Sequence, residues 1–199
     1  VALKISLQQI PELKGELRKL IDRTEFGKEP QLGTLSRRVF DSLQEMPALT
    51  ARLASALVDD PPLVLKEGGI FRDGFDSDLD ELRQGSREGK NWIAQLQERE
   101  IAETGIRSLK VRFNSVFGYF IEVTKSNLAN VPERYVRKQT TVGGERFITP
   151  ELKEMESKIL GADEKSRQLE YQLFQTLRDE TLRELEPIQQ TAAAIGTLD

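Results

Sequence analysis

SDLDELRQGSREGKNWIAQLQEREIAET, residues 77–104, decides the fold. Ser77-Asp78-Leu79-Asp80 has the S-x-x-D form of a capping box, so a helix is expected to start near residue 77. From there Leu79, Leu82, Ser86, Gly89, Ile93, Leu96, Glu100 and Glu103 recur in alternating steps of three and four. That spacing is a coiled-coil stripe with small residues in its middle, and it is too narrow for burial in a large core.

The partner of this stripe lies beyond residue 148. Thr149-Pro150-Glu151 supplies an N-cap, a first-turn proline and an early acid, and Leu152, Met155, Ile159, Ala162, Ser166, Leu169, Leu173 and Thr176 follow with the same alternation. The helix continues towards Ile195, with a kink expected at Pro187. Two narrow stripes that flank one insertion are most economically packed against each other, antiparallel, with Leu82, Ile93, Leu96, Met155, Ile159 and Leu169 along the seam. At about 1.5 Å per residue, a paired length of roughly 28 residues spans about 40 Å.

Inside the insertion the period changes to two. Ser108–Asn114 and Tyr119–Thr124 alternate around a Ser115–Gly118 connection, and Tyr135–Thr141 and Arg146–Ile148 flank a Gly143-Gly144 turn. These are two β-hairpins, predicted to form a small antiparallel sheet, apolar beneath and basic around it. Residues 1–60 carry helical faces at Leu7, Ile10, Leu13, Leu17, Leu20 and Ile21, and at Leu35, Val39, Leu43 and Met46, punctuated by Pro47 and Pro61-Pro62; short packed helices are expected there.

The chain has no His and no Cys, which excludes Ser-His-Asp and Cys-His nucleophiles, zinc ribbons and disulfides. No apolar run reaches the roughly 18 residues of a membrane span, so no membrane partner is expected. The first residue, Val1, and an end inside a helical pattern suggest a piece of something longer. The charge is uneven: residues 1–106 carry a net of −4, residues 107–147 a net of +5 and residues 148–199 a net of −5. A cationic island between acidic flanks points to an anionic partner, against the alternative of a merely solvated basic hairpin.

Three motifs have plainer explanations. Gly85–Asn91 is one residue short of a phosphate-binding loop, ends in Asn and follows no strand, so it is a stretch of helix surface. Asp76–Asp80 imitates the start of a calcium loop but has Leu79 and Glu81 where the turn needs glycine nearby, so helix capping is preferred. Glu122 has no partner carboxylate and is taken as a strand charge facing solvent. The coherent set is Lys110, Arg112, Lys125, Arg134, Arg137, Lys138 and Arg146, with Asn127, Gln139, Thr140 and Thr141 nearby and Gly143-Gly144 open to backbone approach. Cations and short donors suit phosphate oxygens. The residues alone leave open an interaction arm whose basic tip docks another protein or RNA.

Thr104–Lys110, Phe113–Lys125, Arg137–Thr140, Glu145–Lys153 and Glu156, with Gly69–Asp76 and Leu79–Arg83 upstream, resemble the MutS family of DNA mismatch repair proteins. The resemblance covers essentially the whole chain and is most specific over residues 104–160. It implies a mainly α fold with a small inserted β domain: a helical core segment (1–76), an outgoing lever helix (77–104), a β-rich clamp tip (105–149) and a returning lever helix (150–199). It also implies a clamp that grips the phosphate backbone of duplex DNA without sequence preference, a homodimer partner in the full-length protein and a cytoplasmic, bacterial setting with the chromosome. ATP and Mg²⁺ are implied for the full-length parent only; the resemblance gives this chain no cofactor, no metal and no enzymatic activity, because the P-loop domain of the family is not in it. Where the family often has Asn-Ala, this chain has Gly143-Gly144, so an amide side-chain contact is missing there. Phe120-Ile121-Glu122 spells the family's mismatch-reading triplet in the wrong context.

Overall fold

The computed structural model describes residues 1–25 and 30–198. The chain divides into two compact units, residues 76–168 and residues 1–75 with 169–199.

In the first unit, helix α4 (Ser77–Thr104) begins after Asp76, whose carboxylate accepts the Leu79 N–H at 2.9 Å. The cap is therefore Asp76 rather than Ser77, one residue earlier than the capping box implies. An extended Asp76 backbone leaves its short carboxylate within reach of the third helical N–H. Helix α5 (Pro150–Arg183) opens with Thr149 Oγ1 accepting from Leu152 N at 3.1 Å, the cap expected from sequence.

Over residues 150–168 α5 runs antiparallel to α4: Arg99 pairs with Glu151, Gly89 lies on Ile159, and Ser86 donates to Asp163. The α4 stripe is buried at Leu79, Ser86, Gly89, Ile93, Leu96 and Glu100, close to the sequence expectation. A Cβ at Gly89 would collide with the Ile159 side chain, which is why the helices tolerate only a very small residue there. Gly85–Asn91 is thus not all helix surface, because Ser86 and Gly89 turn into the seam. On α5 the stripe departs from expectation. Leu152, Ile159 and Ser166 are buried, but so is Glu156, while its apolar neighbour Met155 is only half-buried.

Four strands, β1 (Lys110–Asn114), β2 (Gly118–Thr124), β3 (Val136–Thr140) and β4 (Gly144–Ile148), form one antiparallel sheet in the order β1-β2-β4-β3. Register sets the two faces. Ile121 stands opposite Val111 and Phe147, so these side chains share the inner face. With Val123 and Tyr135 they pack on Ile93 and Leu96 of α4 and Leu152 and Ile159 of α5, forming one core. The outer face carries the row Lys110, Glu122, Arg146 and Gln139, one residue from each strand. Strand β3 is bulged between Arg137 and Gln139, leaving Lys138 without a partner residue on β4. The exposed edge of β1 is blunted where Gln97 Oε1 accepts the Val111 N–H at 2.8 Å.

In the second unit, α1 (Ala2–Glu25) runs unbroken through Pro11, so the first helix is long rather than short. It packs with α2 (Pro30–Ser42) and α6 (Leu185–Ile195) through Ile10, Leu17, Val39, Leu43 and Ala194. Leu35 is exposed and Ser36 is buried in its place, because Ser36, Val39 and Leu43 share the inward face. Pro47 opens α3 (Pro47–Ala56). Residues 56–58 and 70–72 then pair antiparallel around a Leu57–Phe71 bridge. The Glu170 carboxylate accepts the Gly69 and Ile70 N–H groups at 3.0 and 2.8 Å. The kink expected at Pro187 is a break: α5 stops at Arg183 and α6 resumes at Leu185, because the proline has no N–H for the Arg183 carbonyl and its ring crowds that turn.

Gly144 sits where β4 presses on β2, and a Cβ there would collide with the Val123 carbonyl oxygen. Gly144→Ala is expected to destabilise the chain by about 1–3 kcal/mol, the usual cost of overpacking. A lowered urea midpoint with unchanged slope checks this; an unchanged midpoint contradicts it.

Candidate functional site

The sequence-predicted cations all fall on the sheet or its connections, but the fold treats them differently. Arg134, just before β3, is bound to Glu100 at 2.5 Å and Glu103 at 2.6 Å, both on α4, and lies over the Tyr135 ring. Glu100 is 2% exposed and also accepts from the Tyr135 hydroxyl at 2.8 Å. Arg134 therefore serves first to compensate a buried carboxylate. Burial pushes the Tyr135 hydroxyl well above its ordinary range, and the bond to Glu100 adds to the shift.

Arg146 is also engaged. Its guanidinium lies 4.4 Å from the centre of the Phe120 ring and donates to Gln139 Oε1 at 2.8 Å, and Glu122 Oε2 stands 3.6 Å from its Nε. Arg112 Nε is 3.7 Å from Glu122 Oε1. Glu122 is thus not a lone solvated charge, as the sequence suggested; strand register places it between two arginines.

The remaining cations face water. Arg137 has a 64% exposed side chain with a 3.5 Å ion pair to Glu145, while Lys138 on the bulge, Lys110 and Lys125 are exposed. Thr140 and Gly143 are exposed too. Thr141 Oγ1 donates to the Gly144 carbonyl, which closes the β3–β4 turn. Gly144 itself is buried against β2, so close strand packing accounts for this glycine, and Gly143 is the open one.

Asn127 belongs to a cluster that sequence reasoning missed. Its Nδ2 donates to Ser108 Oγ at 3.0 Å and Thr124 Oγ1 at 3.1 Å, and Thr124 Oγ1 lies 3.2 Å from Ser126 Oγ. The signal was available, because extending the Lys110–Glu122 register by two residues sets Ser108 opposite Thr124. Lys125 adjoins the cluster, and its N–H reaches the Gly143 carbonyl at 3.3 Å.

Sequence reasoning also gave no role to Glu156. Its carboxylate accepts the Tyr119 N–H at 2.6 Å and pairs with Lys153, and it fills the space where a Cβ on Gly118 would stand. Gly118 has φ 75°, so the residue is glycine for two reasons at once. This bond ties the β1–β2 hairpin to α5.

Gly85–Asn91 does not fit a nucleotide: its backbone lies mid-helix and Gly89 is occluded by Ile159. Among the described residues no group of three or more His, Cys, Asp or Glu side chains is placed to hold a metal, and no helix is long and apolar enough to cross a membrane.

Residues 74–165, the helix pair with its sheet, match the model of MutS family domain IV. This chain carries a MutS family domain. The whole chain also aligns with proteins named DNA mismatch repair protein MutS: 48% identical over 198 residues in Halothermothrix orenii, 46% over 199 in Alkaliphilus oremlandii and 48% over 200 in Brevibacillus brevis. Each alignment covers 100% of this chain and 21–22% of the relative, so the chain spans about a fifth of their length. The match to MutS domain IV contains every candidate contact residue on the sheet.

The raised Tyr135 hydroxyl sets an alkaline limit on stability. The fold holds this group protonated, whereas the unfolded chain releases the proton near pH 10, so its contribution is complete below about pH 10 and is lost as pH rises towards the folded value. Tyr119 is shifted the same way, chiefly by burial. Tyr135→Phe is expected to be less stable at pH 7 yet to lose less between about pH 10 and 11. Urea midpoints followed by Trp92 fluorescence check the two slopes; parallel slopes contradict the assignment.

Proposed function

We propose that this chain is the DNA-gripping and transmitting part of a mismatch repair protein, and that residues 105–149 hold the phosphate backbone of duplex DNA without reading its sequence. The observation that carries this is the placement of Lys110, Arg112, Arg137 and Lys138 on the outer face and β3 edge of a sheet whose other face is sealed on the helix pair. Duplex DNA offers one charge per about 1.7 Å of axis, and such a surface can follow it with donors that need no base geometry.

The relatives' printed name, DNA mismatch repair protein MutS, supports DNA as the anionic partner. Exposed Lys125, Thr140 and Gly143, with the Ser108–Thr124–Asn127 donors, extend the same surface. Arg134, Arg146 and Gly144 support it from within. In the full-length protein a second subunit closes the grip, α4 and α5 act as levers, and ATP and Mg²⁺ belong to other parts; the setting is the cytoplasm, beside the chromosome. The chain itself binds and transmits, and hydrolyses nothing.

Each phosphate contact contributes a slope of about −0.9 in log K against log salt, so three to five contacts give roughly −3 to −4. Arg137→Glu with Lys138→Glu is expected to weaken duplex binding for any sequence and to flatten that slope, with the affinity of the unaltered chain in the nonspecific range of roughly 10⁻⁴ to 10⁻⁶ M. Fluorescence anisotropy with labelled perfect and single-mismatch duplexes across a salt series checks it. A salt-independent affinity, or a mismatch preference by this chain alone, contradicts the proposal.

A further inference from the structure

The one acidic side chain on the outer face of the sheet's central strands is Glu122, which is 29% exposed and lies in the row Lys110, Glu122, Arg146 and Gln139. Its two oxygens address different arginines, Oε1 towards Arg112 at 3.7 Å and Oε2 towards Arg146 at 3.6 Å. Both separations exceed hydrogen-bond reach, so the carboxylate lowers the potential of the cations without using their N–H groups. Arg146 is held independently by the Phe120 ring and Gln139, and its Nε is buried with no hydrogen-bond acceptor in contact. Arg146 is therefore not positioned by Glu122 alone, and the fold does not need a carboxylate there to satisfy a backbone group. The carboxylate occupies the middle of the cationic face, where an anion would otherwise settle.

We infer that Glu122 is an electrostatic brake on this face: a carboxylate standing between Arg112 and Arg146 that keeps the affinity for phosphate low enough for the grip to release and move along the duplex. The inference rests on the phosphate-binding reading above. An approaching phosphate meets the exposed Arg112, the charge of the largely covered Arg146 beneath it and one fixed anion, so part of the attraction is cancelled while the Arg112 donors remain available to it. Removing one unit charge a few ångströms from a docked phosphate changes affinity by about three- to ten-fold when water screens the pair, at a dielectric of about 80.

The test compares the 199-residue chain with Glu122→Gln and Glu122→Thr on a labelled perfect duplex, from about 50 to 200 mM salt. Glu122→Gln keeps the shape of the side chain, and Glu122→Thr suits a strand should the amide disturb folding; Trp92 fluorescence melting follows the fold of each. The expected result is binding tighter by about three- to ten-fold at low salt in both variants, a gain that shrinks as salt rises and shrinks again when Arg112→Gln is added. Unchanged or weaker binding with unaltered melting overturns the brake. If Arg137→Glu with Lys138→Glu still weakens binding in that case, the phosphate reading stands and only the role of Glu122 falls; if that variant also has no effect, both fall.

Discussion

A buried carboxylate ties the first hairpin of the sheet to α5. Glu156, on the inward face of α5, accepts the Tyr119 N–H in the space left by the missing Cβ of Gly118. A buried, unpartnered carboxylate would be costly, and so would an unpaired strand N–H; each satisfies the other. Because Tyr119 is the second residue of the central strand β2 and pairs with Phe113 of β1, the bond fixes the first hairpin on α5, and β4 pairs with the same strand from Ile121 onward. The same device recurs at Glu100, which holds Arg134 and the Tyr135 hydroxyl where β3 begins. In the other unit Glu170 holds the Gly69 and Ile70 N–H groups.

This anchoring explains how a helix pair presents the basic face of a sheet. The inner face is closed by Ile121, Val123 and Phe147 against both helices, so the outer face is the one the proposed reading turns towards its anionic partner. Hydroxyls and the Asn127 amide at the Ser108–Thr124 end of the sheet and Lys138 on the bulged β3 edge give donors at several positions with little geometric demand. Such a surface suits a regular polyanion better than a single small ligand.

Much of this was legible in the sequence. The alternation of three and four from Leu79 to Glu100, the Thr149 cap and the period-two segments each report a local rule, and each is realised. What escaped depends on distant partners. Met155 and Leu169 look like better seam residues than Glu156 and Glu170, since nothing local announces that N–H groups near residues 119 and 70 will arrive to satisfy carboxylates. Arg134 and Lys138 contribute equally to the net charge, yet one is bound to two carboxylates and the other stands free on a bulge, a distinction that requires register. The first helix was expected to be short, yet α1 continues past Pro11, its packed face outweighing the local cost of the proline.

Amide hydrogen exchange at Tyr119, compared between the unaltered chain and Glu156→Ala, addresses the anchor most directly. A hydrogen bond to a charged group contributes about 1.5–3 kcal/mol, so the account predicts exchange at Tyr119 and along β2 faster by roughly ten- to hundred-fold. Protection at Ile93 and Leu96 of α4 should be retained, because their apolar packing on Leu152 and Ile159 does not use the carboxylate. Unchanged protection at Tyr119, or an equal loss throughout residues 76–168, would contradict the claim that this carboxylate anchors the β1–β2 hairpin on α5.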